Sequence, residues 1–280
     1  MIKNKLLNIK GKLLSLEKPV AMGIMNVTPD SFFADSRIQN EAAIVARIET
    51  ILSEGGVLID VGGYSSRPDA AEVSPEEEWS RLKPALKILK VHYAGIPASV
   101  DTFRADIAKR AVEDYGVSII NDISGGIMDE NMFPTVAQLN VPYLLTHFRG
   151  TPQTMLQHTD YNLLLEDVMI YFAEKLRTLR LLGVNDVILD PGFGFSKTLD
   201  QNYGLLRYLK EFSHLFDCPL SVGISRKSMI YNLLDITAEE SLNGTTVLNA
   251  YSLLNGADIL RVHDVKAAVE AIKLVDKLIN

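Results

Sequence analysis

Polar residues able to do chemistry recur at or just after the ends of eight short apolar runs in the sequence. In chain order they are Asn26, Asp60, Asp101, Asn121 with Asp122, His147, Asp190, Lys227, and Arg261 with His263. A single residue of this kind is most simply a cap or a loop residue. Eight successive runs with the same kind of ending indicate one site to which all of them contribute.

Three of these side chains suit a flat nitrogenous ring. Asp101, Asn121 and Asp190 come from three different runs and present carboxylate and amide groups. A buried ring rich in N–H donors and carrying a lactam needs such matched partners. The pattern therefore predicts a pterin or a guanine-like heterocycle as ligand.

A second group supplies positive charge. Its members are Arg67, Arg261 and His263. The arginine fork binds two phosphate oxygens at once, whereas lysine acts as a point charge. A ring that carries a phosphate group would satisfy both halves of the predicted site.

The segment GISRKS (223–228) follows the seventh run, where barrels of alternating strands and helices often bind anions. Ser225 is predicted to cap the following helix, Lys227 to reach inward as a fixed cation, and Ser228 to hold a carboxylate or phosphate. The alternative interpretation is an ordinary helix start with a solvated arginine and lysine.

Two long segments are predicted to form loops that close over the site. The segment 28–36, TPDSFFADS, places Phe32 and Phe33 directly after the first run, and 62–75, GGYSSRPDAAEVSP, has similar length and turn chemistry. The alternative for the two phenylalanines is that they fold back into the core.

The elements that must position these residues alternate along the chain. The apolar runs are VAMGIMN (20–26), VLIDVGG (57–63), PASVDT (97–102), VSIIND (117–122), PYLLTH (142–147), DVILDPG (186–192), PLSVGIS (219–225) and ADILRVHD (257–264). Continuously apolar short strands are typical of a parallel sheet that is buried on both faces. Eight of them, separated by helical patterns, predict a (β/α)₈ barrel. An open doubly wound sheet is the alternative, but no GxGxxG follows the first strand.

Helical stripes and the chain ends complete the predicted barrel. Ile44, Ile48, Ile51 and Leu52 share one helix face, as do Val168, Phe172, Leu176 and Leu179, and a glycine follows each stripe. Residues 1–19 are predicted to form a strand or hairpin under the barrel, and Val265–Leu278 to form the last outer helix. We expect residues 1–280 to form a single domain.

Composition excludes several classes of protein. The net charge of −7 argues against general binding to nucleic acid or to a membrane surface. Cys218 is the only cysteine, so no intrachain disulfide forms, and the basic N-terminus lacks a continuous apolar stretch. We expect a cytoplasmic protein, in which His92, His158 and His214 are surface or structural residues.

Several motifs, in this order, resemble the dihydropteroate synthase family. They are GIMNVTPDSF (23–32), DVGGYSSRP (60–68), SVDT (99–102), INDISGG (120–126), THFRGTP (146–152), LDPGFGF (189–195), GISRKSM (223–229) and RVHDV (261–265). TPDSF, DPGFGF and SRKS together are highly specific. The resemblance implies a homodimeric (β/α)₈ enzyme that joins 6-hydroxymethyl-7,8-dihydropterin diphosphate to p-aminobenzoate, with Mg²⁺, and releases pyrophosphate.

The resemblance also implies roles for individual residues. The pterin pocket would use Asp101, Asn121, Asp190, Phe195, Lys227 and Arg261, the last stacking on the ring. The diphosphate would meet Asn26, Arg67, Arg261 and His263, with Asn26 also a ligand of Mg²⁺. The aminobenzoate would contact Thr28, Pro29, Phe32, Ser66, Lys227 and Ser228. Catalysis would rest on Lys227, Arg261, His263 and Asp101.

The chain departs from the family pattern mainly in its loops. Asp35 and Ser36 stand where the family usually has glycines, and GYSSRPD (63–69) replaces GESTRPG, which alters Tyr64, Ser66 and Asp69. Thr146 and Phe148 replace common methionines, and Ser196 replaces a glycine. The residues expected to pair with ligands are retained.

Two other functions fit part of the pattern. A methyltetrahydrofolate methyltransferase domain would share the pterin-binding carboxylates and amide, but it needs no diphosphate site. An inactive paralogue that only binds pterin or a partner would not need the whole charged set.

Overall fold

A computed structural model describes residues 5–28, 37–65 and 72–279 of the chain, with side chains from residue 41 onward in the second range. Within these ranges a two-stranded hairpin precedes an eight-stranded parallel sheet. The hairpin strands are β1 (Leu6–Ile9) and β2 (Lys12–Ser15). The sheet consists of β3 (Val20–Asn26), β4 (Leu58–Gly62), β5 (Ala98–Asp101), β6 (Ile119–Asp122), β7 (Tyr143–Thr146), β8 (Val187–Asp190), β9 (Ser221–Val222) and β10 (Ile259–Val262).

Helices alternate with these strands around the outside. They are α1 (Arg37–Ser53), α2 (Pro75–His92), α3 (Ala105–Tyr115), α4 (Met132–Leu139), α5 (Leu164–Leu181), α6 (Leu199–Arg207), α7 (Leu209–Leu215), α8 (Ser228–Leu234), α9 (Leu242–Leu254) and α10 (Val265–Ile279). Local chemistry sets several of their starts. Ser74 caps α2, with a proline at its first position and acidic residues in its first turn, and Thr198 and Gln201 form a capping box on α6.

The sheet is a barrel that closes at a thin seam. Its strand order is β8-β7-β6-β5-β4-β3-β10-β9, and one parallel bridge between Leu189 and Leu220 joins the two ends. Pro219 accepts a bond from the Leu189 N–H but has no N–H of its own, and the Leu220 N–H bonds the Asp258 carboxylate at 2.8 Å. Strand β9 is therefore much shorter than the predicted run 219–225.

The barrel walls carry the predicted helical stripes. Ile44, Ile48 and Ile51 are buried on α1, and α5 buries Val168, Phe172, Leu176 and Leu179 against the strands. Both stripes are thus confirmed as core. Among the described helices, none combines the length and apolar character needed to cross a membrane.

A separate apolar cluster fills the lower end of the barrel. Leu7, Ile9 and Leu16 of the hairpin region pack there against residues in the first half of the barrel strands, including Met22 and Leu58. The predicted hairpin therefore closes the end of the barrel opposite the polar strand ends. Those strand ends lie at the end where barrels of this fold carry their active sites.

Truncation of the hairpin plug tests this arrangement. Leu7 is fully buried, whereas Leu13 on the same hairpin is 68% exposed. We expect Leu7→Ala to lower the free energy of unfolding by about 2–5 kcal/mol because it opens a cavity, and Leu13→Ala to change it by less than about 0.5 kcal/mol. Urea unfolding followed by circular dichroism measures both. Equal losses in the two variants would contradict the sealing role.

Candidate active site

A buried network of opposite charges occupies the mouth of the barrel. Asp60 of β4 is fully buried and accepts hydrogen bonds from Ser99 Oγ at 2.5 Å and Asn121 Nδ2 at 3.1 Å. Arg261 of β10 donates to Asp60 from Nε at 2.7 Å and to Asp101 from Nη2 at 2.6 Å. The four strand ends β4, β5, β6 and β10 are thereby joined by side chains.

Asp101 is the more accessible carboxylate of this network. Its side chain is 16% exposed, whereas that of Asp60 is fully buried. Burial raises the pKa of Asp101 to about 7, and the charge of Arg261 opposes that rise. A carboxylate with such a pKa gains from an added hydrogen-bond donor, because the donor stabilises the ionised form.

Asp190 lies on the other side of the mouth, at the end of β8. Its Oδ1 accepts the Gly192 N–H at 2.8 Å, and the backbone of Gly223 lies near its Oδ2. Burial raises the pKa of Asp190, while Lys227 opposes the rise. Among the described residues, none donates a hydrogen bond to Oδ2, so this oxygen is free to accept one from a ligand.

Lys227 closes the mouth beside Asp190. Its Nζ donates to the Phe193 carbonyl at 2.5 Å and lies 4.2 Å from the centroid of the Phe195 ring. Gly194 has φ +80°, and a Cβ there would lie 3.0 Å from Lys227 Cδ, so glycine is needed at this turn. Burial lowers the pKa of Lys227 to about 8, with Asp190 opposing, and the side chain is mostly protonated at pH 7.

His263 sits at the rim, after β10. Ser225 Oγ accepts the backbone N–H of His263 at 3.1 Å and lies 3.1 Å from its Nδ1. Burial, followed by the charge of Arg261, lowers the pKa of His263 to about 4. The imidazole is therefore a neutral group at pH 7, and the prediction that it carries positive charge is wrong.

The predicted cap by Ser225 is also wrong. Lys227 stands at the N-cap position of α8 without a side-chain cap, and Ser228 is the first, partly buried residue of that helix. Ser225 precedes the cap position and uses its hydroxyl on His263 instead. The serine thus orients a rim side chain and does not start a helix.

A cavity of about 420 Å³ lies beside the ends of β3 and β10. It is lined by Ile24, Met25, Asn26, Arg47, Arg226, His263 and Asp264. Asn26 is the exposed last residue of β3, and its Oδ1 lies near the backbone of Gly62 on β4. The mouth and the rim cavity together offer a buried polar floor and a wider, charged edge.

Known proteins share this geometry and sequence. The family model described as "Pterin binding enzyme" matches residues 22–263. The dihydropteroate synthase of Escherichia coli strain K12 is 38% identical over 273 residues, which cover 97% of this chain and 95% of that protein.

The chain belongs to the dihydropteroate synthase family.

Solved structures of this family have the same fold. The dihydropteroate synthase of Yersinia pestis, in complex with a sulfonamide drug, matches with a TM-score of 0.89 at 36% identity and 98% coverage of both chains. That of Xanthomonas albilineans, with 4-aminobenzoic acid, matches with a TM-score of 0.89 at 33% identity and the same coverage. The predicted (β/α)₈ barrel with its hairpin is thereby confirmed.

The structure gathers one part of the family's predicted site. Asp101, Asn121, Asp190, Lys227 and Arg261 surround one mouth, with contacts or charge interactions that link them. Phe195 joins them through Lys227, and its ring meets the Phe148 ring at 5.7 Å. Thr28 is partly exposed at the edge of the described range. Pro29, Phe32, Ser66 and Arg67 lie outside the described residues, as do Phe33, Asp35, Ser36 and Asp69.

Two strand-end residues face away from the mouth. Asp122 accepts the Tyr143 hydroxyl at 2.7 Å and the N–H groups of Ser124 and Gly126. His147 is buried, and its Nδ1 lies 3.0 Å from Lys197 Nζ. Neither residue lines the rim cavity.

Lys197 was not recognised from sequence. Its ammonium donates to the carbonyls of Gly192 and Phe195 at 2.9 and 3.0 Å and so holds the DPGFGF loop from behind. Ser196, with φ +49°, donates to and accepts from the backbone of Arg149 on the neighbouring loop. A lysine directly after a glycine-rich turn is the only sequence signal of this support.

The sequence places Asp60 near a strand end but does not indicate its role. It lies in the middle of the apolar run VLIDVGG, and a buried carboxylate in such a run requires a cationic partner. That partner, Arg261, lies 201 positions away, so the run by itself does not identify it.

Removal of the Asp60 charge tests the network. Asp60→Asn keeps the side-chain shape but leaves Arg261 with one carboxylate. We therefore expect the free energy of unfolding to fall by about 3 kcal/mol. Asp106→Asn is the matched control, because Asp106 is 83% exposed and its pair with Arg110 spans 4.0 Å; its effect should stay within about 0.5 kcal/mol. Urea denaturation gives both values. If both variants were as stable as the parent, the network would not organise the mouth.

Proposed function

We propose that this chain is a transferase of folate biosynthesis that joins 6-hydroxymethyl-7,8-dihydropterin diphosphate to p-aminobenzoate, forming 7,8-dihydropteroate and pyrophosphate. The observation that carries the proposal is the shared mouth of Asp101, Asn121, Asp190, Lys227 and Arg261, in a chain of this family. We also propose that residues 1–280 act as one domain, because side chains from β4 through β10 supply this mouth.

The floor of the mouth suits the pterin ring. The carboxylates of Asp101 and Asp190 accept hydrogen bonds from ring N–H groups, and Asn121 can both donate and accept. Lys227 lies between Asp190 and the Phe195 ring, where it can donate to the ring carbonyl. Arg261, held by Asp60 and Asp101, presents its planar guanidinium to the ring face.

The rim suits the diphosphate. Arg261 supplies positive charge, and His263 and Asn26 supply neutral hydrogen-bond donors. The proposal includes Arg67 as a second cation for the diphosphate. Ser225 Oγ accepts a hydrogen bond from the backbone N–H of His263 and can donate its hydroxyl proton to the imidazole Nδ1. The neutral imidazole then carries its proton on Nε2, where it can donate to a phosphate oxygen. The proposed contacts of the aminobenzoate are Thr28, Pro29, Phe32, Ser66, Lys227 and Ser228.

Mg²⁺ is the proposed cofactor. The protein would supply only a small part of its coordination sphere. The exposed Asn26 amide offers one hard oxygen at the rim. In the described residues no group of three or more His, Cys, Asp or Glu side chains is arranged to hold a metal. Mg²⁺ commonly takes one or two protein oxygens and completes its octahedron with substrate phosphates and water. When bound, it would neutralise charge on the leaving diphosphate.

The proposed reaction is a substitution at the pterin methylene carbon. The C–O bond to the diphosphate breaks first, and its electron pair leaves with the oxygen, where Arg261 and the His263 N–H stabilise the developing charge. The electron-rich dihydropterin, oriented by Asp101 and Asp190, shares the resulting positive charge. The aniline nitrogen of the aminobenzoate then forms the new C–N bond and releases a proton. No side-chain nucleophile takes part.

A homodimer is the proposed assembly. Helices α9 and α10 pack on each other and expose aliphatic side chains, among them Val247 (58%), Leu254 (52%), Leu274 (68%) and Leu278 (78%). Exposed apolar side chains on two packed helices are typical of a surface that another subunit covers.

The direct test uses the purified chain with both substrates and Mg²⁺. We expect dihydropteroate and pyrophosphate to appear in a one-to-one ratio, each dependent on both substrates. Methyl transfer from methyltetrahydrofolate without pyrophosphate release would favour the methyltransferase alternative. Pterin binding without turnover would favour the inactive paralogue.

Asp190→Asn tests the floor of the mouth. The amide presents an N–H group to a ring donor in place of an oxygen, so we expect the Kd of the pterin substrate to rise roughly 30-fold, or by about 2 kcal/mol. Asp160→Asn, on a rim loop with 83% side-chain exposure, is the control and should leave Kd unchanged. Calorimetric titration with the pterin diphosphate, in the absence of p-aminobenzoate, measures the change. Unaltered affinity in Asp190→Asn would remove Asp190 from the pocket.

The pH dependence of the reaction tests Lys227. Its pKa is lowered to about 8, so the protonated fraction falls from about 0.9 at pH 7 to about 0.1 at pH 9. We expect kcat/KM for the pterin diphosphate to fall about tenfold over that range. Lys227→Ala should lose several powers of ten at every pH, whereas Lys227→Arg should keep residual activity without the alkaline decline. A wild-type profile that is flat to pH 9.5 would contradict the role.

A further inference from the structure

Two arginines line the rim cavity, and they differ in whether a carboxylate pairs with them. Arg226 is fully engaged: its Nε and Nη2 each meet an Asp264 carboxylate oxygen at 2.8 Å, and its Nη1 donates to the carbonyls of Ala238 and Glu239. Arg47, on α1, has no carboxylate within ion-pair distance among the described residues. The two arginines and Asp264 therefore leave one positive charge in excess at the cavity.

Backbone carbonyls fix the Arg47 guanidinium. Nε and Nη2 donate to the Ile24 carbonyl at 3.1 and 2.8 Å, and Nη2 also donates to the His263 carbonyl at 2.8 Å. Nη1 donates to no atom of the described residues, so its two N–H groups remain for another acceptor. A planar cation held along one edge is already oriented for an anion at the other, and little side-chain entropy is lost on binding.

Besides the Arg226–Asp264 pair, two neutral donors line the cavity near Arg47. Asn26 contributes an amide at the end of β3, and His263 contributes its imidazole, which is uncharged at pH 7. Water takes about 30 Å³ per molecule, so a cavity of about 420 Å³ holds two phosphate groups and several waters. One fixed positive charge beside neutral N–H donors is the chemistry of a phosphate subsite.

We propose that Arg47 is a further residue that binds the diphosphate of the pterin substrate, by donating from Nη1 to its terminal phosphate, and that it holds the released pyrophosphate in the rim cavity. The proposal rests on the proposed function for its substrate. It adds a cation supplied by an outer helix to a site whose other members come from strand ends and loops.

A comparison of two arginines separates anion binding from a purely structural role. Arg47→Met retains the aliphatic stem and removes the guanidinium. Arg81→Met is the matched control, because Arg81 on α2 also donates to a carbonyl beyond a strand end, that of Gly63 at 3.1 Å, but is paired with Glu77 and does not line the rim cavity. Arg47→Lys keeps a positive charge without the fork.

Two equilibrium titrations are then made on each folded variant, one with pyrophosphate in the presence of Mg²⁺ and one with 6-hydroxymethylpterin, which lacks the diphosphate. We expect Arg47→Met to raise the Kd of pyrophosphate about tenfold and to leave the Kd of the pterin alcohol unchanged. Arg47→Lys should recover part of the loss, and Arg81→Met should change neither value. In turnover, KM for the pterin diphosphate should rise in Arg47→Met while KM for p-aminobenzoate stays constant.

Other outcomes overturn the inference. Equal losses for pyrophosphate and the pterin alcohol would show that Arg47 only fixes the β3 and β10 ends. Unchanged pyrophosphate affinity in Arg47→Met would exclude the contact. Because wild-type pyrophosphate binding is measured without turnover, failure of the wild type to form dihydropteroate would count against the proposed function and leave the test of Arg47 intact.

Discussion

Burial of charge at the barrel mouth constrains the rest of this structure. An ionised carboxylate removed from water needs a partner that is equally well placed. Asp60 is fully enclosed, and Arg261 reaches it from β10 while also meeting Asp101 on β5. This arginine therefore fixes the separation of two strand ends, and through Asp60 it fixes Asn121 and Ser99 as well. A ligand that enters the mouth meets groups already held in place.

The two parts of the site carry opposite electrostatic character. The mouth contains three carboxylates, Asp60, Asp101 and Asp190, and two cations, Arg261 and Lys227. Its net charge is −1 when all five are ionised and rises towards zero as Asp101, with a pKa of about 7, takes up a proton. The rim cavity has one positive charge in excess. A heterocycle that carries N–H donors and a diphosphate matches this division. Its ring would lie in the mouth and its phosphates in the rim cavity. Such a gradient orients a substrate before any specific contact forms.

Much of this arrangement follows from the sequence, because short apolar strands with polar ends leave few alternatives. The barrel, the hairpin plug and the buried stripes of α1 and α5 were all predictable from local pattern. What failed depended on partners far along the chain. Asp60 and Arg47 each contact a residue near position 261, and the neutral state of His263 results from burial that no local motif reveals. The cap prediction at Ser225 failed because a hydroxyl near a helix start has a competing partner in His263.

The seam between β8 and β9 has a mechanical meaning. Asp190 stands at the end of β8, and Lys227 follows β9. The two groups proposed to hold the pterin therefore lie on opposite sides of the β8–β9 junction, which has the fewest hydrogen bonds in the barrel wall. A ligand bound by residues on both sides of the seam acts as a non-covalent cross-link. By mass action it stabilises the sealed barrel over any form in which the seam parts. If the pterin binds as proposed, occupancy of the pocket and closure of the seam next to the short strand β9 are linked equilibria.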